Sequence, residues 1–336
     1  MPDTETSDAY ESNYVKYDAH FHPLGPKKPC VELMDAAKLG KVQVLSYSDF
    51  RTSEALEELE TQFYEDVNDY PARMVYSSSF SLHGFEEPGY VQRTIAKLES
   101  DFERRGAVGV KVWKDLGMML KDAQGRYVFC DDERFRPIFD YLADRNAVIT
   151  MHLADPKAAW LPLDPKSPHY RYYSNHPEFH WCGRTDVPSH DELIARRDAL
   201  VARYPYVRFV CCHLGSLEHD VDEVGAFLHR YPNAYVDTAA RHNDFTLQDP
   251  AKVKAFFERY SHRILYGSDW ELTPADFSAD PAERAAFIAK RVNHFNGLLR
   301  YYEETLALSR DVLEHFYHRN AERILKHPRR YAENAQ

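Results

Sequence analysis

In the stretch YVKYDAHFHPLG, Tyr14 to Gly25, a single phenylalanine separates His20 from His22. Side chains two apart in an extended strand share one face. Two neutral imidazoles on one face can aim at one point, which suits a metal ion. The plainer alternative is a pair of polar residues at a strand end, one of them a cap. Three further residues of metal-ligand type sit in similar places. His152 closes VITMH, His213 closes FVCCH and Asp269 closes ILYGSD. One polar residue at a strand end is ordinary and faces water. Five of them serve no purpose in a stable core. Gathered on one rim, they would form a site able to hold a cation and move protons.

The elements that must gather them alternate along the chain. Short β-branched runs begin at Tyr14, Lys41, Ala72, Ala107, Ala147, Val207, Ala234 and Arg263. Amphipathic stretches lie between them. In Ser53 to Asn68, Leu56, Leu59 and Phe63 recur at helical spacing; in Pro88 to Arg105, Val91, Ile95, Leu98 and Phe102 do the same. Pro88 is placed early in its helix, where a missing N–H costs nothing. Further helices are expected over Glu133–Asn146, His190–Tyr204, Asp220–Tyr231 and Asp249–Tyr260. Eight strands alternating with helices predict a parallel sheet closed into a (β/α)8 barrel, with an open doubly wound sheet as competitor. Catalytic groups in a barrel collect at the C-terminal strand ends, where the five residues fall. Two or more extra helices are expected within Pro281–Lys326. The chain divides into a disordered lead-in over 1–13, one barrel domain over 14–327 and a tail over 328–336.

Composition narrows the function. With a formal net charge of −11 and no basic patch, nucleic acid is excluded as a partner. No apolar run approaches the ~20 residues of a membrane span. Five scattered cysteines, Cys30, Cys130, Cys182, Cys211 and Cys212, read as reduced core residues in a cytoplasmic protein.

The motifs YDAHFH, CCHLGS, RILYGSDW and LEHFYHRNAERIL together resemble the amidohydrolase superfamily, in its amidohydrolase-related (amidohydrolase 2) branch, from about Tyr14 to Lys326. The resemblance implies that His20, His22, His152 and Asp269 hold one divalent metal, zinc first, with manganese or iron also suited to an N/O site. It implies that His213 is an acid/base beside the metal, and that Asp269 takes a proton from a metal-activated water. In binuclear relatives a carboxylated lysine on the fourth strand bridges two metals; the matching position here is Lys111. The branch resembled usually has one metal.

Substrate contacts are read from the rim. Lys114 ends the fourth strand and could bind an anionic group. Arg241, after DTAA, could clamp a carboxylate. Asp155 and Asp237 are placed to support the ligands. Ala154 to Ser189, roughly 35 residues, far exceeds the usual βα loop of about 2–6. It is rich in aromatics, among them Trp160 and Tyr170, and is expected to cover the site; the same aromatics would equally serve a homo-oligomer contact. The leading function is hydrolysis of a small amide, lactone or ester. A decarboxylase or other lyase of an aromatic or unsaturated acid is the alternative on the same scaffold. A non-catalytic barrel would have eroded ligands, and these are intact.

Overall fold

The computed structural model describes residues 10–48 and 50–328. The lead-in over 1–9 and the tail over 329–336 lie outside the described residues. Residues 10–13, expected to be disordered, are instead tied down. The Tyr10 hydroxyl and the Ser12 hydroxyl donate to Glu303 at 2.6 and 2.7 Å, and Ser12 is buried.

Every strand joins one parallel sheet. In chain order they are β1 (Lys16–Pro23), β2 (Leu39–Leu45), β3 (Met74–Ser78), β4 (Gly109–Val112), β5 (Val148–Met151), β6 (Phe209–Cys211), β7 (Ala234–Asp237), β8 (Ile264–Leu265) and β9 (Trp270–Leu272). Neighbours in sequence are neighbours in space, and β9 lies beside β1. The last two strands are halves of one stave. β8 pairs with β7 through Val236 and Ile264, while β9 pairs with β1 through Phe21 and Trp270. Between them, the Ala19 N–H donates to Tyr266 O and the Asp269 N–H donates to His20 O, both at 2.9 Å. The sheet therefore closes, and the fold is the (β/α)8 barrel.

β1 runs past the histidines, not up to them, because its second half gains partners on β9 as well as β2. It also carries a bulge. Asp18 pairs with Val42 and Phe21 with Val44, so three steps on β1 answer two on β2. Tyr17 and Ala19 pack with Val148, Val210 and Leu265 at one end of the barrel interior. Strict alternation from there would turn His20 and His22 outward; the extra residue reverses the parity and turns them in. The Asp18 carboxylate steadies the bulge by accepting from the N–H groups of His20 and Ser268, at 2.9 and 3.0 Å. Burial pushes its carboxyl up to about 7. Above the apolar layer the interior turns polar, with Gln43, Lys111, Thr150 and Asp237 all fully buried. The short helix Asn320–Ile324 closes the opposite end with Ala321 and Ile324.

The outer helices largely follow the predicted periodicity: Ser53–Asp69, Tyr90–Arg104, Arg136–Asp144, His190–Arg203, Val221–Arg230 and Pro250–Arg259. Pro88 lies in a turn outside its helix, which starts after a left-handed Gly89 at φ 78°. A helix over Lys27–Ala36 was not anticipated. Pro281–Arg300 begins the predicted C-terminal helices. All five cysteines are free, and all but Cys182 are buried.

Two buried histidines outside the site set an acid limit on stability. Burial pushes both His190 and His242 down to about 4. His242 donates Nε2–H to Gly267 O at 3.0 Å and accepts from the Tyr302 hydroxyl at 2.8 Å, the bonding of a neutral ring. Unfolding releases both to the ordinary value of about 6.5. The unfolded chain then binds more protons between those limits, so stability falls as pH drops from about 6.5 to 4. Each group adds at most about 1.4 kcal/mol per pH unit to that fall. Urea midpoints measured across this range should decline, and less steeply in His190→Gln; an unchanged slope in that variant would contradict a neutral His190.

Candidate metal centre

β1 and the break in the eighth stave build the centre. His20 donates Nδ1–H to Asp237 Oδ2 at 2.9 Å, and His22 donates Nδ1–H to Leu45 O at 3.0 Å. Both rings are thereby held in the tautomer whose Nε2 carries a lone pair. Those two nitrogens face one carboxylate oxygen. His20 Nε2 lies 3.1 Å and His22 Nε2 3.6 Å from Asp269 Oδ1. Asp269 reaches this point because the chain leaves β8 through Gly267 and adopts φ 59° at Asp269, a costly backbone for a non-glycine residue.

The residues fit a metal. Acceptors this close repel one another unless a proton or cation lies between them. The ligands of a tetrahedral ion at usual bond lengths stand about 3.3 Å apart, which the two distances bracket. One atom from each of His20, His22 and Asp269 lies within 4.8 Å of the others. His20, Cys212 and Asp237 form a second such group. There, however, Asp237 already accepts from His20, and the Lys111 ammonium lies 3.0 Å from Cys212 Sγ.

The other rim histidines adjoin this trio. His213 donates Nδ1–H to Ala239 O at 2.9 Å, leaving its Nε2 lone pair free to face inward. Its ring centroid is 4.8 Å from that of His20 and 4.3 Å from that of His152. His152 is not within 4.8 Å of the whole trio. Both its ring nitrogens are buried without a hydrogen-bond partner, and Nε2 leans to 3.6 Å from Asp155 Oδ1. Burial disfavours the charged form of all three interior rings: His20 falls below its ordinary value, His213 well below, and His152 to about 4. Neutral imidazole is the form that ligates.

Asp237 organises the group. Besides His20 it accepts from the His213 N–H at 2.7 Å and the Ala239 N–H at 3.2 Å. Burial opposes its charge, but the His20 imidazole bonded to it prevails and lowers its pKa. Asp237→Asn keeps the shape and weakens the carboxylate–imidazole bond. Metal affinity is expected to fall about 10–100-fold, measured by competition with a chromophoric chelator; affinity unchanged within twofold would remove this role.

A cavity of about 470 Å³ opens above the centre. Asp269 has 27% of its side chain exposed, against 1% for His20 and 6% for His22. Tyr47 and Trp113 form an aromatic wall, with ring centroids 5.4 Å apart. Of the cavity's cations, Lys114 holds a carboxylate by a hydrogen bond and Arg241 only faces one. Lys114 Nζ donates to Asp155 Oδ1 at 2.6 Å. Burial works against the Asp155 carboxylate, but Lys114 overrides it and holds the carboxyl far below its usual range. Arg241 Nε is 3.9 Å from Glu218 Oε2. From the long segment, His169, Tyr172 and Tyr173 reach the cavity. His169 Nε2 pairs with Asp244 Oδ1 at 2.8 Å and ties the segment to the barrel.

The family model described as amidohydrolase matches residues 17–326. The chain belongs to this family. No curated protein matches it. Three solved barrels illustrate the likeness. A 4-oxalomesaconate hydratase from Rhodopseudomonas palustris superposes with TM-score 0.56 at 14% identity, over 92% of this chain and 95% of its own. A 5-carboxyvanillate decarboxylase from Sphingomonas paucimobilis gives 0.53 at 12%, over 88% and 81%. A dihydroxybenzoic acid decarboxylase from Polaromonas, with bound manganese and the inhibitor 2-nitroresorcinol, gives 0.51 at 16%, over 84% and 97%. Identities this low speak for the fold alone. Family membership makes this amidohydrolase a metal-dependent enzyme with a small-molecule substrate. Among its described residues no helix is long and apolar enough to cross a membrane.

Two residues expected at the substrate are elsewhere in this amidohydrolase. Trp160 turns its Nε1–H to Pro188 O at 2.9 Å and packs against Trp181, because its 3₁₀ turn folds back on the end of the segment. Tyr170 is 37% exposed and does not line the cavity; one helical turn places Tyr172 and Tyr173 there instead. Lys114 and Arg241 do line it. Lys111 is fully buried inside the barrel, its Nζ 3.4 Å from His20 Nε2. Sequence reading missed Tyr47, Trp113 and Glu271 at the cavity. Tyr47 and Trp113 lie near the ends of predicted strands, where the rule that found the histidines would have found them, and Glu271 lies just past the eighth.

Proposed function

We propose that this amidohydrolase hydrolyses a small amide, lactone or ester. One observation carries the reading: Asp269 faces both His20 Nε2 and His22 Nε2 and is the most open of the trio to the cavity, 27% exposed against 6% for His22 and 1% for His20. His20, His22, His152 and Asp269 would hold one divalent ion, zinc by the nitrogen-rich donor set, with manganese or iron acceptable to the same donors. When bound, that ion supplies a Lewis acid able to polarise a carbonyl or acidify a water. The residues supply the rest. Asp269, facing the cavity, accepts a proton from an entering water. His213, neutral and fixed by Ala239 O, offers Nε2 to receive that same proton from Asp269 and pass it to the leaving group. Asp237 holds the rings of His20 and the backbone of His213 in register. Lys114 is hydrogen-bonded to Asp155, whereas Arg241 Nε is buried without a hydrogen-bond partner among the described residues and is free to orient a polar or anionic group of the substrate.

Decarboxylation is the second reading. The Tyr47–Trp113 wall favours it, since it suits a flat ring, and two of the barrels above are named as decarboxylases of ring acids. Turnover in ¹⁸O-labelled water separates the two. Label in the product of an ester, lactone or amide supports hydrolysis. Release of CO₂ from a carboxylated ring, with no label incorporated and no ester, lactone or amide turned over, would overturn it.

A further inference from the structure

A second cavity, also of about 470 Å³, lies behind the stave that carries Asp269. It sits between Ser268 and Trp270 on one side and the helix Pro281–Arg300 on the other. The two cavities share Ala240 as a lining residue. Trp270, Phe287, Phe295 and Leu298 make it apolar, and Lys290 and Arg291 make it cationic, with the His294 ring beside them.

The charge there is unspent. Among the described residues Lys290, Arg291 and His294 make no ion pair, in a chain whose net charge is −11. Arg291 is half-buried, and its guanidinium lies 5.6 Å from the Trp270 ring centroid and 5.7 Å from that of Phe287. Stacking of this kind fixes the fork and leaves its N–H donors for a ligand. Asp276 is the acid whose field reaches Arg291, but its Oδ2 accepts from the N–H and the hydroxyl of Thr273, both at 2.7 Å. Burial has stripped the guanidinium of part of its water and lowers its pKa. A carboxylate would replace the lost hydrogen bonds with charge-assisted ones.

We propose that this cavity binds a small planar carboxylate, its acid group held by Arg291 with Lys290 and His294, and its ring packed among Trp270, Phe287 and Phe295. The site is separate from the metal centre, yet its ligand would touch Ser268 and Trp270, the residues on either side of Asp269.

Equilibrium dialysis of the full metal-loaded chain with 2-naphthoate tests it. Saturable binding is expected, at least tenfold weaker in Arg291→Gln and about threefold weaker in the surface variant Lys290→Gln/His294→Gln, which leaves the core intact. The neutral 2-naphthamide should bind wild type at least tenfold more weakly. The catalytic cavity is common to all three proteins, so a change between them reports the second site. The proposal is overturned by equal naphthoate affinities across the three proteins. Equal affinity for acid and amide, or no binding up to millimolar concentration, overturns it as well.

Discussion

Asp269→Asn is expected to lower kcat by about 10²–10⁴-fold, the range for loss of a positioned acid–base group, and to weaken metal binding as well. Asparagine has nearly the same shape, so the left-handed turn and the Asp269 N–H to His20 O bond survive. What is lost is the anion facing His20 and His22 at 3.1 and 3.6 Å. The amide offers one oxygen without charge and cannot accept a proton near neutral pH. Elemental analysis of the purified variant, beside steady-state kinetics and a thermal melt, checks both effects. Activity within tenfold of wild type, at full metal content, would remove Asp269 from the mechanism.

His213→Gln and His152→Ala are expected to part company. Loss of His213 should leave the metal content near wild type and cost about 10²–10⁴-fold in kcat. Its Nδ1 is committed to Ala239 O, and the backbone N–H that anchors Asp237 is untouched by the substitution. Loss of His152 should remove metal and activity together, because among the described residues its two buried nitrogens make no hydrogen bond, and Asp155 Oδ1 comes only to 3.6 Å. Added metal should restore part of the His152→Ala activity and none of the His213→Gln activity. Identical behaviour of the two variants would show that the roles assigned to them are wrong.

Much of this site was legible before any coordinates. HxH, two single histidines and one aspartate each end a β-branched run, and strand ends in a parallel barrel share one rim. That topology is set by local pattern, since eight runs alternating with amphipathic helices have few ways to bury their apolar faces. The long segment after β5 was also visible, because its length alone marks it as exceptional.

Other features depended on contacts between parts of the chain far apart in sequence. Spacing of two guarantees that His20 and His22 share a face, but not which face. The bulge between Asp18 and Phe21 decides that, and it rests on pairing with β2 and on the Asp18 carboxylate bridging to Ser268, 250 residues away. The choice of Tyr172 and Tyr173 over Trp160 and Tyr170 came from how the segment folds on itself. Lys114 was readable as a cation but not as the partner of Asp155. The sequence by itself therefore determined which residues converge and on which rim, because periodicity and strand order are local properties. Tautomer, facing and ion pairing were left to the tertiary structure, because each is fixed by an atom that only folding brings within about 3 Å.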